Sequence, residues 1–354
     1  MESGIRALKR PGETGIIYKN SKSEEDSGKG QAMAYDVVAL GELLADFTCL
    51  STDAAGYPCM EVHPGGAPAN FLAALAANGA KTALMGKVGA DAFGRLLTDT
   101  LNRAGIDTRG IVFAEDVFTT LAFVTLDNRG EREFSFARKP GADTCLTAEE
   151  LDLSMLDGAK VFHFGSLSLT DEPARGATRC AVTGAKERGC LISYDPNYRP
   201  ALWKSEAEAR TQMCWGLEAA DVVKISDEEL QFLFGLDAAA GAEYILGRFG
   251  AKLVFVTCGA AGCWFRNPRA SGYVPGLAGL SVADTTGAGD IFGGSAVWKL
   301  LQCGNAPEAL DECQLREIAT FACTAAGLSV TKNGGISSVP DPAEVAARLA
   351  ADRR

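Results

Sequence analysis

The chain has 354 residues, and its 34 Lys and Arg against 45 Asp and Glu give a formal net charge of −11 at pH 7. This balance argues against a nucleic-acid or anionic-membrane surface as the main partner, because both need concentrated positive charge. A hydrophobic fraction of 47% with 22% charged residues excludes a wholly disordered, collagen-like or coiled-coil chain.

The first 33 residues differ from the rest, because charged residues interrupt every possible apolar stripe. We expect residues 1–33 to be a disordered tail that contributes nothing to the fold. From Tyr35 onward, short β-branched runs alternate with helical patterns. The predicted strands are Val37–Leu40, Thr82–Gly86, Val161–Phe164, Leu191–Tyr194, Val222–Ile225 and Leu253–Thr257. The predicted helices are Ala69–Asn78, Asp91–Ala104, Arg175–Arg188, Glu206–Leu217 and Asp227–Phe234. This alternation predicts an α/β fold with a mostly parallel sheet covered on both faces.

One region departs from the alternation. Thr120–Leu126 and Glu131–Phe136 have a period of two and flank a polar turn, which predicts a β-hairpin outside the main sheet. Leu43–Val62 is long for a strand-to-helix connection and could supply a partner strand. We therefore predict a small β lid built from about residues 43–64 and 115–140, inside a domain that spans 34–342 and is followed by a C-terminal helix or tail at 343–354.

The eleven cysteines occur singly, with no Cys-x-x-Cys pair and no Cys/His cluster at zinc spacing. Because no signal peptide or long apolar run is recognisable, this usage favours reduced thiols, no disulfides and a cytoplasmic protein. The two histidines, His63 and His163, leave little room for histidine-based chemistry.

The most informative segment is Asp284-Thr-Thr-Gly-Ala-Gly-Asp290, which precedes an apolar helical pattern. Gly287, Ala288 and Gly289 would leave backbone N–H groups free to face an anion at the start of that helix. Asp290 would lie in its first turn, where the helix dipole favours an ionised carboxylate. A carboxylate base beside an anion site is what phosphoryl transfer to an alcohol requires.

This segment resembles the C-terminal motif of the PfkB, or ribokinase-like, sugar kinases. Their N-terminal motif is matched by Gly65-Gly-Ala-Pro-Ala-Asn70 and by Gly86-Lys-Val-Gly-Ala-Asp91. The resemblance covers residues 35 to about 342 and implies a three-layer α/β/α fold with a β lid, which binds a sugar and ATP. No Gly-x-x-x-x-Gly-Lys-Ser/Thr occurs, so a P-loop kinase is not expected.

The resemblance also implies the sugar-binding residues. Gly65 and Gly66 would let the backbone approach the sugar closely, and Asn70 would offer both a donor and an acceptor to its hydroxyls. Asp46 matches the sugar-binding aspartate of the family and would accept hydroxyl protons.

Two further matches concern the nucleotide. Lys224-Ile-Ser-Asp-Glu-Glu229 matches the family's Asn-x-x-Glu segment, with Ser226 in place of the asparagine, and implies that Glu229 holds hydrated Mg²⁺ near the phosphates. The segment from Thr257 through Gly259 to Gly262 resembles the nucleotide-phosphate loop and follows a strand, as a ligand loop should.

The segment from Ser329 to Pro340 resembles the family's monovalent-cation loop. The resemblance implies a K⁺ site; the residues concerned are Asp284, Thr286, Ser329, Lys332, Gly334 and Ser338. The alternative is a simple glycine turn before the last helix.

The acceptor is suggested by two longer strings. Asp195-Pro-Asn-Tyr-Arg199-Pro-Ala-Leu-Trp203 and the segment around Arg138 resemble the branch of fructokinases and 2-keto-3-deoxygluconate kinases. The resemblance implies that both arginines lie at the active site, with Arg138 coming from the lid. The keto-acid kinases carry tyrosines just before this arginine, whereas Phe136 and Ala137 stand here, so fructose is the expected acceptor.

Other functions stay open at this point. The acceptor could be 2-keto-3-deoxygluconate or another sugar or nucleoside, and the chain could be a non-catalytic sugar sensor on the kinase fold. A dinucleotide-dependent dehydrogenase is disfavoured, because only Gly41-Glu-Leu-Leu follows the first strand. Apolar Phe134 and Phe136 in the insertion suggest a homodimer formed through the lid.

Overall fold

The structure of the protein is a computed structural model, and it describes residues 34–126 and 132–352. Thirteen strands occur in these residues. They are β1 Val37–Leu40, β2 Leu44–Thr52, β3 Pro58–Gly65, β4 Thr82–Gly89, β5 Ile106–Ala114, β6 Leu121–Leu126, β7 Arg132–Ala137, β8 Val161–Gly165, β9 Leu191–Asp195, β10 Val222–Ser226, β11 Leu253–Thr257, β12 Gly262–Arg266 and β13 Ser271–Pro275. Nine α-helices accompany them in the same residues. They are α1 Ala67–Ala77, α2 Ala92–Arg103, α3 Ala174–Glu187, α4 Glu206–Ala219, α5 Asp227–Phe234, α6 Ala238–Phe249, α7 Ala288–Cys303, α8 Glu312–Ser329 and α9 Pro342–Asp352.

The main sheet has nine strands in the order β13-β12-β11-β10-β9-β8-β1-β4-β5. The strands from β11 to β5 pair in parallel, and β12 and β13 extend one edge in antiparallel pairing. Alternate residues of β1 belong to different cores: Val38 and Leu40 are part of the core that includes α3, α4 and α6, while Val37 and Ala39 are part of the core that includes α1 and α2. The predicted three-layer α/β/α fold is therefore confirmed.

The second sheet has four strands in the order β3-β2-β6-β7. It contains the predicted hairpin, β6 with β7, and the connection after β1 supplies two strands rather than one. Phe47 of β2 meets Phe93 of α2 edge-to-face at 5.4 Å, so this lid sheet rests on α2 beside the main sheet. Phe134 was predicted to expose an apolar ring, but its side chain lies outside the described part of the chain.

The candidate site lies at one end of the main sheet, where the parallel strands end. Asp195, Ser226 and Thr257 are the last residues of neighbouring parallel strands, so their side chains meet at the same edge. The lid sheet leaves β1 at this edge, and α7 begins there. Within the described residues, no helix is both long and apolar enough to cross a membrane.

Candidate active site

A cavity of about 800 Å³ lies at this edge. Most of the predicted site residues line it: Asp46, Gly66, Asn70, Arg199, Lys224, Glu229, Thr257, Gly259, Gly262, Thr286, Gly287, Ala288, Gly289 and Asp290. The lid contributes one end of its wall, and the loop after β13 together with α8 contributes the other. The cavity is large enough for two small substrates side by side.

The start of α7 forms the centre of the cavity. Gly287 is its N-cap and has a left-handed backbone with φ of 76°. Asp290 lies in the first turn, and its Oδ2 accepts a hydrogen bond from Nδ2 of Asn70 at 2.9 Å. Burial raises the pKa of Asp290, while the hydrogen bond from Asn70 and the charges of Lys224 and Arg199 oppose that rise. The carboxylate is thus fixed in orientation and made more basic than an exposed aspartate.

A buried ion pair lies beside the same helix start. Nζ of Lys224 is 2.9 Å from Oδ2 of Asp195. Burial opposes the charge of Lys224, but Asp195, Glu229 and Asp290 outweigh it and raise the pKa of Lys224. A Cβ placed on Gly289 would lie 2.9 Å from the same Nζ, so glycine at this position lets the ammonium approach the helix start. A fixed positive charge therefore lies beside the start of α7.

The lid end of the cavity carries hydroxyl-binding chemistry. Asp46, on β2, has its pKa raised to about 7 by burial, with Arg199 lowering it and Asp284 and Asp290 raising it further. A Cβ on Gly65 would lie 2.2 Å from Oδ2 of Asp46, so only glycine fits there. Oδ1 of Asn70 is buried and has no hydrogen-bond partner among the described residues.

Glu229 is engaged by the protein itself. Its Oε1 accepts from N of Tyr198 at 2.7 Å and its Oε2 from N of Ser226 at 2.8 Å. Ser226 caps α5 through its own hydroxyl, which accepts from N of Glu229. The serine thus performs a helix-capping role for which asparagine is equally suited. Asp227 and Glu228, next to it, also line the cavity.

Arg138 does not line the cavity. Its guanidinium is buried and donates to Asp143 at 2.8 Å, to Oγ1 of Thr170 at 2.9 Å and to the carbonyl of Leu167 at 2.8 Å. Its charge acts on Glu42, which does line the cavity. The sequence predicts that Arg138 binds the substrate. In this structure its guanidinium contacts other protein groups instead of the cavity, because all three donor nitrogens already have protein partners.

The predicted cation-loop residues separate into two groups. Asp284 accepts from N of Thr286 at 2.9 Å and from N of Gly334 at 3.0 Å, so the loop closes on the segment that precedes α7. The hydroxyls of Ser329 and Ser338 donate to carbonyls of their own turns. Lys332 pairs with Glu344 of α9 at 3.0 Å.

Glu42 and Asn197 are among the wall residues that sequence reasoning did not single out. Glu42 is the second residue after β1 and is only 3% exposed. Its one sequence signal is an acidic residue two positions after a fully apolar strand. Asn197 lines the cavity with a left-handed backbone, φ 46°, inside a motif that was noted only for its arginine.

Comparison with known proteins agrees with this geometry. Residues 34–342 match the model of the pfkB family carbohydrate kinases. Fructokinase-1 of Zea mays is 44% identical over 313 residues, which cover 87% of this chain and 96% of that protein. Fructokinase-2 of Solanum lycopersicum is 42% identical over 311 residues, covering 87% of this chain and 94% of that protein.

Solved structures agree as well. A fructokinase with bound ATP from Xylella fastidiosa superposes with a TM-score of 0.83 at 32% identity, covering 90% of this chain and all of that one. A double-mutant fructokinase from Vibrio cholerae O395, with fructose, ADP and a potassium ion bound, gives 0.77 at 30% identity, covering 89% of this chain and 98% of that one. With this family match over residues 34–342 and with relatives that are similar along most of its length, the chain belongs to the pfkB family of carbohydrate kinases.

Proposed function

We propose that this chain is an ATP-dependent fructokinase, which converts ATP and D-fructose to ADP and D-fructose 6-phosphate. The observation that carries the proposal is the position of Asp290, between the hydroxyl-binding lid end of the cavity and the anion site at the start of α7. The fructokinase relatives, which match over most of their own length, support fructose as the acceptor.

The reaction follows from the positions of these groups. The carboxylate of Asp290 accepts the proton of the primary hydroxyl on C6, and that oxygen forms a bond to the γ-phosphorus of ATP as the bond to the β-γ bridging oxygen breaks. The N–H groups of Gly287 and Gly289 and the ammonium of Lys224 stabilise the negative charge of the transferring phosphoryl group. The N–H of Ala288, which was expected to be free, donates instead to the carbonyl of Thr285 at 3.3 Å. Asp46 and Asn70 hold the sugar hydroxyls, and Arg199 supplies positive charge near both carboxylates.

The acidic residues at the start of α5 fit a divalent metal. Both oxygens of Glu229 accept backbone N–H groups, so Glu229 would reach Mg²⁺ through water, with Asp227 and Glu228 beside it. Mg²⁺ bound there would neutralise charge on the phosphates of ATP. We expect Glu229→Gln to raise the Mg²⁺ concentration needed for half-maximal rate, and an unchanged Mg²⁺ dependence would remove Glu229 from this role.

The closure of the loop 329–340 on Asp284 fits a K⁺ site. Asp284 supplies a carboxylate, and the backbone carbonyls of the loop are the oxygen ligands that such an ion needs. Ser329, Ser338 and Lys332 would serve only through their backbone, because their side chains are engaged elsewhere. A rate that responds equally to K⁺ and to tetramethylammonium would count against the site.

We propose fructose rather than a keto-acid as the acceptor because of the side chain at position 136. Phe136, rather than a tyrosine hydroxyl, lines the lid end of the cavity, so this position offers no hydrogen bond to a carboxylate. The alternatives are 2-keto-3-deoxygluconate, another sugar or nucleoside, and a non-catalytic sugar sensor. A sensor would need no oriented base, which disfavours it.

The test is a coupled ADP-release assay with ATP, Mg²⁺ and K⁺, comparing kcat/KM for fructose, 2-keto-3-deoxygluconate, ribose, tagatose and fructose 6-phosphate. We expect fructose to lead by about tenfold or more, the discrimination expected of a site that binds its hydroxyls directly. A lead for the keto-acid would replace the acceptor and keep the kinase class, and no turnover with any acceptor would favour the sensor.

We also propose a homodimer formed through the lid and a cytoplasmic location. The dimer is supported by the two edge strands, β3 and β7, because edge strands readily pair with a second chain. The location is supported by the eleven free cysteines. A monomer in light scattering at micromolar concentration would contradict the dimer. We further propose that residues 34–342 form the catalytic domain.

A further inference from the structure

Glu42 is a buried carboxylate that the proposed reaction does not use. It follows β1, lines the cavity and is only 3% exposed. Its Oε1 accepts a hydrogen bond from N of Ala67 at 2.8 Å. A carboxylate is rarely buried so completely unless the fold needs its charge or its hydrogen bonds.

The hydrogen bond of Glu42 supplies what the start of α1 lacks. The N-cap of this helix is Gly66, which has no side chain to accept an N–H group. A larger residue could not cap there, because a Cβ on Gly66 would lie 2.4 Å from the carbonyl oxygen of Glu42. Glu42 therefore takes over the capping role from a distant position in the sequence.

The helix that Glu42 fixes carries Asn70 one turn further on. N of Asn70 donates to the carbonyl of Gly66 at 3.0 Å, which joins Asn70 rigidly to the helix start. Nδ2 of Asn70 then holds Asp290 at 2.9 Å. A displacement of the start of α1 would therefore move Asn70, and the side chain of Asn70 would in turn move the proposed base, Asp290.

The charge state of Glu42 depends on its burial and on neighbouring charged groups. Arg138, the residue after β7, is 7% exposed and bonded to Asp143, Thr170 and Leu167. Burial raises the pKa of Glu42 to about 7, whereas the N–H of Ala67 and the charge of Arg138 act in the opposite direction and Asp143 adds to the rise. The guanidinium at the foot of the lid thus favours the ionised form of Glu42.

We propose that Glu42 is a positioning residue of the kinase: its carboxylate fixes the start of α1 and thereby sets Asn70 against Asp290. The inference rests on the proposed function for the role of Asp290. It is independent of which sugar is the acceptor, because the contacts of Glu42 are with the protein.

The test is Glu42→Gln, which keeps the shape and removes the charge, assayed with the best acceptor of the wild-type protein. We expect kcat to fall about tenfold or more and KM for the sugar to rise, with KM for ATP within about twofold, because the altered groups all lie on the sugar side of the base. The matched control is Glu150→Gln. Glu150 likewise accepts a backbone N–H, that of Thr147, and pairs with a cation, Lys87 at 2.6 Å, but it does not line the cavity. Glu150→Gln should change the free energy of unfolding and leave KM for the sugar and KM for ATP unchanged.

A double-mutant cycle separates positioning from a general loss of structure. If Glu42 acts through Asn70, Glu42→Gln will lower kcat much less in the Asn70→Ala background than in the wild type. Rate losses that simply multiply, or a Glu42→Gln protein with wild-type kcat and sugar KM, would overturn the proposal. If Glu42→Gln does not fold, Glu42→Asp keeps the charge near Arg138 and shortens the reach to Ala67, and the same coupling with Asn70→Ala is expected and decisive. A wild-type chain that phosphorylates no acceptor would instead reject the proposed function.

Discussion

The side-chain amide of Asn70 donates a hydrogen bond to the carboxylate of Asp290, although the two residues are 220 positions apart in the chain. Asn70 lies on α1, which follows β3 of the lid sheet, and Asp290 lies in the first turn of α7. The same amide keeps its oxygen free of partners among the described residues. One side chain can therefore hold the base and present an acceptor to the sugar.

Replacing Asn70 by alanine tests this contact. We expect Asn70→Ala to lower kcat about 10- to 100-fold and to raise KM for fructose, because a hydrogen bond to a charged group is lost and the carboxylate can rotate. Steady-state kinetics with fructose measure both effects. The control is Asn78→Ala, at the other end of α1, where the amide donates to the carbonyl of Ala74 at 2.8 Å and does not line the cavity. Equal kinetic losses in the two variants would argue against a specific role for Asn70.

The glycines at the two ends of α7 allow a matched test of the anion site. Gly287 and Gly304 both have left-handed backbones, with φ of 76° and 67°. A Cβ on Gly287 would lie 3.0 Å from Cα of Gly335 beside the cavity, while a Cβ on Gly304 would meet nothing within 4 Å. Each alanine substitution should lower the free energy of unfolding by about 1–2 kcal/mol, the cost of alanine in that conformation.

Only Gly287→Ala should also lower kcat, because it would displace the N–H groups that we propose bind the phosphoryl group. Thermal unfolding and the ADP-release assay together separate the two effects. If Gly287→Ala retains wild-type turnover, the N–H groups at the start of α7 are not the anion site.

The pH dependence follows from the buried carboxyls. Burial raises the pKa of Asp46 and of Glu42 to about 7 in each case, and it raises the pKa of Asp290 as well. In the proposed mechanism Asp290 must be ionised to accept the proton of the sugar hydroxyl, while ionised Asp46 and Glu42 accept hydrogen bonds from the sugar and from N of Ala67, so protonation of these groups lowers activity. We expect kcat/KM for fructose to increase with pH through about 7 and then to level off, which reports on the free enzyme. A flat profile between about pH 5.5 and about pH 8.5, in protein that stays folded, would contradict these assignments.

Much of the fold could be predicted because hydrophobic periodicity reports burial directly. The helix Asp227–Phe234 has the predicted bounds, and β11 spans the predicted residues. By contrast, β5 was not predicted, because Asp107, Thr108 and Arg109 interrupt its apolar pattern at the edge of the sheet. The antiparallel β12 and β13 were missed for a similar reason, since short strands with half-exposed faces carry a weak signal.

Site residues that belong to contiguous motifs could be predicted from the sequence. Contacts between residues that are far apart in the chain could not. Close approaches of the backbone are indicated in the sequence by the glycines before Asp290 and by the pair Gly65 and Gly66. The pair Lys224 and Asp195 depends on β10 lying next to β9, which no local pattern states. Arg138 was recognised as important, but its direction, toward Asp143 rather than into the cavity, is set by tertiary packing.

The most direct test of the account is Asp290→Asn, assayed with ATP and fructose and accompanied by a measurement of fructose binding. The substitution keeps the size of the side chain and removes the base. We expect kcat to fall by at least about 100-fold while fructose affinity is nearly unchanged, as for loss of a general base. A folded Asp290→Asn protein with near-normal turnover would contradict the proposed mechanism, whatever the acceptor.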